Sequence, residues 1–417
     1  MYFSSKEKTL KSLYNILTHI ASFHIKIIAK FNDKLNLGVK GRAETFNILE
    51  ENISSKDNTV WFHCASLGEY EQGLPVFEKI KTKYPNHKIV LSFFSPSGYE
   101  IRKNTPIADV VVYLPLDTQK NAKLFLNIVH PELVVFVKYE IWPNYLNELK
   151  KRNIKAILIS ALFRKNQNYF KTYGTWIRDS LKAFEHIFVQ NEASKELLKS
   201  INHYNVSISG DTRFDRVSNQ LHIDNRLDFI EHFKEDKLCI VAGSTWPDGE
   251  QLFVEFINAS STDAKFIIAP HNIKPKQIQH LKSVIQKKTV LFSEKDTSDV
   301  TEAQVFIIDT IGLLSKIYSY ADIAYVGGAL GSTGLHNTLE PAVFGIPIII
   351  GNNHKNYPEA IDMIELGGLF SISNQKEFNS LLHTLITNSE KRLAAGTANK
   401  NYITSNKGAV TQIIDYI

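Results

Sequence analysis

The sequence predicts an α/β protein made of two Rossmann-like domains. Its 417 residues exceed the length at which one hydrophobic core usually keeps growing, so two domains are expected. Between residues 60 and 209, short apolar runs alternate with helical patterns, and a second series of this kind begins at residue 238. Such alternation is typical of doubly wound parallel sheets. Ligands are therefore expected at the carboxyl ends of the strands, in a cleft where the two domains face each other.

The first series predicts seven strands, at 60–64, 88–94, 110–114, 133–137, 155–160, 187–190 and 206–209. Helical patterns occupy 72–83, 119–129 and 142–151, and residues 65–70 are predicted to form a turn. Residues 212–237 are polar and charged, which indicates a linker. The second series predicts strands at 238–242, 265–269, 290–292, 305–308, 323–326 and 346–350.

The bulk composition excludes several classes of protein. With 43% apolar and 22% charged residues the chain is not disordered, and its net charge of +5 does not by itself indicate nucleic-acid binding. The two cysteines, Cys64 and Cys239, lie far apart and lack metal-ligand spacing. This argues against a zinc site and against a disulfide scaffold. No HExxH motif or Asp-rich metal cluster is present, so metal-free chemistry is favoured.

The N-terminal segment has the pattern of a basic, amphipathic helix. Apolar residues recur at helical spacing from Leu10 to Phe31. The lysines that flank or interrupt this pattern are Lys6, Lys8, Lys11, Lys26 and Lys30. The uncharged run 12–25 is too short to span a bilayer, and no signal-peptide cleavage pattern follows it. Two interpretations remain open: the helix lies in a membrane interface, or it packs on the protein.

A glycine-rich stretch after the strand at 323–326 indicates a phosphate-binding loop. Gly327 and Gly328 follow the strand directly, and a helix is predicted from His336 to Phe344. Glu340, in the first turn of that helix, suits a bidentate hydrogen bond to ribose hydroxyls. The alternatives are that the glycines only form tight turns and that Glu340 only complements the positive end of the helix.

Two carboxylates and one arginine are the candidates for chemistry. Glu69 follows the first strand, where it could act as a general base on a hydroxyl or merely cap the next helix. Glu140 occupies the equivalent position after the strand at 133–137. Arg213 could meet a leaving phosphate or form a linker ion pair. His63 lies inside a strand, so it is predicted to be a hydrogen-bonded core residue.

Residues 138–182 carry ten Lys or Arg against three acids. Such a basic stripe suits phosphate groups or anionic lipid, and the alternative is a solvated helical face.

Together these motifs resemble the 3-deoxy-D-manno-octulosonic acid (Kdo) transferases of lipopolysaccharide synthesis. The resemblance extends from Gly38 to Gly368. The matching segments are residues 65–69 (ASLGE), 113–117 (YLPLD), 140–144 (EIWPN), 210–215 (GDTRFD), 243–245 (GST), 269–271 (APH), 309–312 (DTIG), 327–328 (GG) and 336–340 (HNTLE).

The resemblance implies a GT-B glycosyltransferase that moves Kdo from CMP-Kdo to the lipid A precursor lipid IVA, with inversion and without a metal or other cofactor. It assigns Glu69 as the general base and Glu140 as a group that stabilises the transition state, and it places Arg213 where the family usually has Lys. The CMP contacts that it implies are Pro270, His271, Ile311, Gly312, Leu313, Asn337, Thr338, Leu339 and Glu340. The chain departs from the family pattern at His271, which replaces Arg, and at Leu313, which replaces Glu.

The same resemblance implies a domain plan and a location. Residues 1–37 form a membrane-associating helix, 38–215 an acceptor-binding domain, and 216–417 a CMP-sugar-binding domain whose last helix returns to the first domain. The N-terminal helix would hold the enzyme on the cytoplasmic face of the inner membrane. Two alternatives remain: an isomerase resembling UDP-N-acetylglucosamine 2-epimerase, which shares the fold, and a catalytically inactive membrane-bound sugar-binding protein. Binding of CMP rather than UDP would distinguish the transferase from the isomerase. Turnover would distinguish it from the inactive sugar-binding protein.

Overall fold

The computed structural model describes residues 2–417, with side chains from residue 9 onward, so the side chains of Lys6 and Lys8 lie outside the described residues. The chain forms two compact units. The first runs to Arg216 and includes Lys407–Ile417, and the second is Val217–Asn406. Each unit is built on its own parallel sheet of seven strands.

The first unit alternates strands and helices along the chain. Its elements are α1 (Tyr2–Ile28), α2 (Asp33–Asn52), β1 (Thr59–Cys64), α3 (Leu67–Lys83), β2 (Lys88–Phe93), α4 (Pro96–Arg102), β3 (Val110–Tyr113), α5 (Gln119–Val129), β4 (Leu133–Val137), α6 (Pro143–Lys151), β5 (Lys155–Ala161), α7 (Thr175–Leu181), β6 (His186–Val189), α8 (Glu192–Lys199), β7 (Val206–Ile208) and α9 (Thr212–Asn219).

The second unit repeats this alternation. Its elements are α10 (Asp228–Lys234), β8 (Cys239–Thr245), α11 (Pro247–Ala259), β9 (Lys265–Pro270), α12 (Pro275–Val284), β10 (Thr289–Leu291), β11 (Val305–Ile307), α13 (Leu314–Ile317), β12 (Ile323–Val326), α14 (Leu339–Ala342), β13 (Ile348–Gly351), α15 (Pro358–Glu365), β14 (Leu369–Ile372), α16 (Gln375–Thr387) and α17 (Ser389–Asn406). The last helix, α18 (Ala409–Tyr416), belongs to the first unit and packs on α3.

Both sheets are doubly wound. The strand order is β3-β2-β1-β4-β5-β6-β7 in the first sheet and β10-β11-β9-β8-β12-β13-β14 in the second. Every residue of β1 and of β4 is buried, as expected for strands covered by helices on both faces. Alternate residues of β1 enter opposite cores: Trp61 packs with α5 and α6, while Phe62 packs with α3. The predicted two Rossmann-like units are confirmed.

Three local predictions were wrong. Helix α3 begins at Leu67, so most of the predicted turn at 65–70 is helical and Glu69 lies in the first turn of the helix. The predicted linker at 212–237 contains α9 and α10; its polar residues are the exposed faces of amphipathic helices. The helix predicted at 336–344 contains only the four residues of α14. Pro341, in its first turn, has no N–H to bond to the carbonyl of Asn337, so the helix does not extend back toward His336, and Gly345, with φ of 73°, lies just beyond its other end.

Helix α1 turns its polar side toward the protein. The side chains on its inward face are Tyr14, Asn15, Thr18, Ser22, Ile25 and Ala29. The large apolar side chains that it exposes are Leu13, Ile16, Leu17, Ile20, Phe23, Ile27 and Ile28. This is the reverse of a helix that packs on a soluble core. Within the described part of the chain, no helix combines the length and the apolar composition needed to cross a membrane.

Candidate functional site

The strand order brings the two predicted carboxylates together. Strands β1 and β4 are hydrogen-bonded neighbours, and the chain leaves β1 toward one edge of the sheet and later returns through β4 toward the other. Ligands of doubly wound sheets bind at this switch point, beyond the carboxyl ends of the strands. Glu69 follows β1 and Glu140 follows β4, so both carboxylates lie at the switch point of the first sheet.

Glu140 is held by a buried hydrogen-bond network. His63 Nε2 and Trp142 Nε1 donate to Glu140 Oε2 at 2.9 and 2.7 Å. The other ring nitrogen of His63 contacts Ser92 Oγ at 2.8 Å, and Ser92 Oγ accepts from Trp61 Nε1 at 2.7 Å. His63 is thus a buried, hydrogen-bonded residue, as predicted, and its partner is the candidate site itself. The network fixes the Glu140 carboxylate in one orientation.

Glu69 is a nearly buried carboxylate close to a second carboxylate, that of Glu140. It is 9% exposed, and its Oε2 accepts from the backbone N–H of Ala65. Burial and the charge of Glu140 raise the pKa of Glu69 to about 8, against weaker lowering by the Ala65 N–H and Lys138. Glu69 is therefore mostly protonated at pH 7. A carboxylate poised in this way can accept a proton near neutral pH.

Glu69→Gln is expected to become more stable relative to wild type as the pH rises. The stability contributed by protonated Glu69 is fully present below its unfolded pKa of 4.5 and is lost as the pH rises through about 8. Gln stays neutral throughout, so the difference in Tm between variant and wild type should grow by several °C from pH 5 to pH 8.5, since about 1 kcal/mol moves Tm by roughly 2–4 °C in units of this size. Thermal unfolding at both pH values measures this. A difference independent of pH would mean that Glu69 has an ordinary pKa.

The backbone beside the carboxylates adopts conformations that ordinary residues avoid. Lys138, between β4 and Glu140, has φ of 66°, and Ser160, in β5, has φ of 50°. Ser160 Oγ contacts Thr212 Oγ1 at 2.8 Å, and Thr212 Oγ1 donates to the carbonyl of Gln72 in α3. Left-handed backbone of this kind is costly and concentrates at functional sites.

Arg213 reaches the same end of the first sheet through an ion pair. Its guanidinium donates to Asp211 Oδ2 at 2.8 Å, and Asp211 Oδ1 accepts from Gln72 Nε2 at 2.7 Å. Gln72 lies one turn beyond Glu69 in α3. The Arg213 side chain is 31% exposed, so part of it faces solvent. The ion pair that was the alternative to phosphate contact is therefore present, and it leaves a partly exposed cation near Glu69.

The second unit has its own switch point, between β8 and β12. Ser244, near the end of β8, has φ of 51°, and Gly328, after β12, has φ of 100°. A Cβ on Gly327 would lie 2.1 Å from the carbonyl oxygen of Ser244, so only glycine allows these two backbone segments to approach each other. The glycines of the predicted loop thus bring the ends of β8 and β12 together.

Three aromatic rings stack at this switch point. The Trp246 ring lies 4.8 Å from the His271 ring at 21°, and the His271 ring lies 4.4 Å from the His336 ring. Trp246 Nε1 donates to His336 Nε2 at 3.0 Å, so His336 presents an acceptor there and is neutral. Burial and the proximity of His271 lower the pKa of His336 to about 4. His271 is exposed on one side of the stack, where an anionic group can reach it.

Glu340 is oriented by two short side chains. Its Oε2 accepts from Ser315 Oγ at 3.1 Å, and its Oε1 accepts from Asn337 Nδ2 at 3.1 Å. Asn337 Oδ1 in turn accepts from the backbone N–H of Leu339 at 3.1 Å. The carboxylate is half-buried and points its remaining lone pairs away from these donors, so it can accept from two ligand hydroxyls.

The other predicted nucleotide contacts surround these groups. Pro270 pairs with Thr245 at the end of β9, and Gly312 (φ of 91°) lies between the exposed Ile311 and the half-buried Leu313. Thr338 is buried, and its hydroxyl has no hydrogen-bond partner in the described part of the chain. The Leu339 side chain is fully buried, so only its backbone is available to a ligand.

The basic stripe is partly neutralised. Lys150 and Lys182 pair with Asp179, Arg152 pairs with Glu148, and Lys155 pairs with Glu185. The stripe therefore offers less positive charge to an anion than its sequence suggests. Among residues whose side chains are described, no cluster of three or more His, Cys, Asp or Glu is arranged to hold a metal ion.

Comparison with known proteins shows similarity to Kdo transferases. Residues 40–216 match the family model described as 3-Deoxy-D-manno-octulosonic-acid transferase (kdotransferase). The 3-deoxy-D-manno-octulosonic acid transferase of Haemophilus influenzae is 25% identical over 86% of this chain and 86% of its own length. That of Aquifex aeolicus is 27% identical over 81% of this chain and 89% of its own length. The chain is thus similar to Kdo transferases over most of its length, and residues 40–216 match their family model. It is therefore a glycosyltransferase.

The fold agrees with this assignment. The crystal structure of UDP-GlcNAc 2-epimerase from Neisseria meningitidis superposes with a TM-score of 0.61 at 15% identity, covering 86% of this chain and 98% of the epimerase. At that identity the likeness concerns the fold alone. Two parallel sheets of seven strands, each covered by helices, form the GT-B architecture that the sequence predicted.

Sequence reasoning missed the groups that orient the site. Trp142, which binds Glu140, stands inside the EIWPN motif, so its position was a signal; Asp211 and Trp246 likewise flank motif residues. The contact of His63 with Glu140 spans 77 residues, and only the strand order reveals it.

Proposed function

We propose that the chain is an inverting transferase that moves Kdo from CMP-Kdo to lipid IVA in lipopolysaccharide core synthesis, with Glu69 as the general base. The observation that supports it most directly is Glu69 itself, a buried carboxylate with a pKa of about 8 at the switch point of a Kdo transferase family unit. Glu69 takes the proton of an acceptor hydroxyl as that oxygen bonds to the anomeric carbon of Kdo. The bond from this carbon to CMP breaks, and its electron pair leaves with CMP.

Glu140 and Arg213 serve the same step in this proposal. Glu140 keeps the pKa of Glu69 high, so that Glu69 is a strong enough base at the moment of attack. Arg213, partly exposed beside Asp211, offers positive charge to a phosphate or to the Kdo carboxylate. No metal or other cofactor takes part.

CMP is proposed to bind in the second unit. Glu340 accepts from the two ribose hydroxyls, while His271 and the backbone near Gly312 and Thr338 meet the phosphate and the base. The remaining proposed contacts are Pro270, Ile311, Leu313, Asn337 and Leu339. Support comes from the half-buried, preoriented Glu340 carboxylate and from the unpartnered Thr338 hydroxyl.

The test is transfer from freshly generated CMP-Kdo to lipid IVA, with product masses read by mass spectrometry. A product heavier by one or more Kdo units supports donor and acceptor together. Binding of UDP in preference to CMP, measured by calorimetry, would favour the epimerase-like isomerase. Binding of CMP without a product from any Kdo acceptor would favour a sugar-binding protein without turnover.

The enzyme is further proposed to work on the cytoplasmic face of the inner membrane, held there by α1. The outward face of α1 carries an apolar stripe that only His24 interrupts, whereas its inward face is mostly polar. A stripe of this length, about 27 Å from Leu13 to Phe31, is expected to be covered by an apolar phase. Lys26 and Lys30 lie on the same helix region and suit anionic headgroups.

Replacing Leu17, Ile20 and Phe23 together by Ser should reduce vesicle binding at least about 10-fold, because each apolar side chain contributes roughly 1.5–3 kcal/mol when fully buried. The three are exposed by 52, 47 and 64%, so the fold should tolerate the change. Co-sedimentation with vesicles that contain anionic phospholipid measures it. The control is Thr18→Ala on the inward face of the same helix. Equal partition of the triple variant and wild type would exclude α1 as the membrane contact.

A further inference from the structure

Helix α1 is fastened to the rest of the first unit by partly buried hydrogen bonds. Tyr14 Oη donates to Asp117 Oδ2 at 2.7 Å, and Asn15 Oδ1 accepts from Asn144 Nδ2 at 2.9 Å. The Tyr14 ring also packs on Trp176 of α7, with 5.0 Å between centroids. Burial and the charge of Asp117 raise the pKa of Tyr14, so Tyr14 remains a hydroxyl donor. These contacts hold the membrane-facing helix to the catalytic unit at a defined place.

Asp117 is the centre of this fastening. Its side chain is buried, and its oxygens accept from the backbone N–H groups of Asn144 and Tyr145 at 3.1–3.2 Å. Its carbonyl accepts from Asn144 Nδ2. Asn144 and Tyr145 are the second and third residues of α6, so Asp117 satisfies N–H groups that a helix N-terminus leaves unpaired. Tyr14 supplies the only side-chain hydroxyl bond to this carboxylate among the described side chains.

The start of α6 sets the position of Glu140. Glu140, Ile141 and Trp142 directly precede Pro143, the first residue of α6, and Trp142 Nε1 donates to Glu140. A shift of the first turn of α6 would therefore move both the carboxylate and its donor. Helix α1 is thus linked to Glu140 through the buried Asp117 carboxylate and the first turn of α6.

We propose that Tyr14 and Asn15 are positioning residues for Glu140. Helix α1, whose apolar face meets the membrane, would then also align the acid pair formed by Glu69 and Glu140. The proposal rests on the proposed function in that Glu140 supports Kdo transfer and α1 meets the membrane. The two residues act through Asp117 and the first turn of α6, and they touch no substrate. An enzyme built in this way keeps its acid pair aligned only while α1 is docked.

A double-mutant cycle between Tyr14→Phe and Glu140→Gln tests the proposal. Tyr14→Phe keeps the ring and removes the hydroxyl. We expect it to lower kcat about 5-fold in the wild-type enzyme and less than about 2-fold in the Glu140→Gln background, since residues that act through one group are not additive. KM for CMP-Kdo should not change. Equal losses of kcat in both backgrounds would overturn the proposal.

Hydrogen–deuterium exchange gives a readout without activity. The amides of Asn144 and Tyr145 should exchange at least about 5-fold faster in Tyr14→Phe, while those of α12 in the other unit keep their rates. Thr18→Ala is the matched control, because Thr18 Oγ1 donates only to the carbonyl of Asn15 in its own helix. Unchanged exchange at Asn144 would contradict the proposal.

A second variant and a vesicle-binding measurement distinguish the possible outcomes. If Tyr14→Phe does not fold, Asn15→Ala carries the same cycle, with the same expected loss of additivity. Vesicle binding of both variants should equal that of wild type, since the apolar stripe is intact; a parallel loss of vesicle binding and kcat would overturn the proposal. Absence of transfer by the wild-type enzyme would instead contradict the proposed function. The exchange experiment would still test whether Tyr14 stabilises the start of α6.

Discussion

Glu69→Gln is expected to lower kcat for Kdo transfer at least about 100-fold, because general-base help is typically worth this much or more. Gln matches Glu in size and can still accept from the Ala65 N–H, so the fold around β1 should persist. CMP affinity should stay unchanged, since the proposed CMP contacts belong to the second unit. Initial rates and calorimetric CMP binding measure the two quantities. In the wild type, kcat/KM should rise with pH to a plateau above about 8, where Glu69 is ionised.

Glu78→Gln is the matched control for this experiment. Glu78 lies in the same helix α3, but its side chain is exposed, whereas that of Glu69 is buried. It should keep the wild-type rate and the same pH profile. A Glu69→Gln enzyme that retains more than about a tenth of the wild-type rate would refute the assignment of the base. So would a wild-type profile in which kcat/KM does not depend on pH between 6 and 8.

The sequence was sufficient to predict the fold because its strands are short, mostly apolar and separated by helical patterns. Buried strands such as β1 and β4 present apolar residues on both faces, and this pattern leaves few alternatives to a parallel sheet. The boundaries were less accurate where local patterns compete. Residues 65–70 were assigned to a turn, yet the helix begins at Leu67 and places Glu69 in its first turn.

The arrangement of the site depended on strand order, which no local pattern contains. Glu69 and Glu140 were each predicted from a position after a strand, but their proximity follows from β1 and β4 being neighbours at the switch point. The contact of His63 with Glu140 arises in the same way. Helix α1 shows the opposite case: its periodicity was readable, but only side-chain exposure shows that the apolar face is the one turned outward.

Glu340→Ala is expected to weaken CMP binding about 10- to 100-fold while leaving the Glu69 site intact. A hydrogen bond to a charged group contributes roughly 1.5–3 kcal/mol, and about 1.4 kcal/mol corresponds to a tenfold change in affinity. Ser315 and Asn337 already orient the carboxylate before a ligand arrives, so little of this energy is spent on ordering the side chain. Calorimetric titration with CMP, and with the 2′-deoxy analogue, measures the loss.

Comparison with 2′-deoxy-CMP tests directly whether Glu340 binds the ribose hydroxyls. If Glu340 binds the ribose hydroxyls, wild type should lose affinity for 2′-deoxy-CMP, and Glu340→Ala should no longer distinguish the two nucleotides. Glu365→Ala, an exposed acid of α15 in the same unit, should bind CMP as wild type does. Asn337→Ala should cost less than Glu340→Ala, since it removes one orienting donor and keeps the charge. Equal discrimination between the nucleotides in wild type and Glu340→Ala would place the ribose elsewhere, even if Glu340→Ala binds CMP weakly.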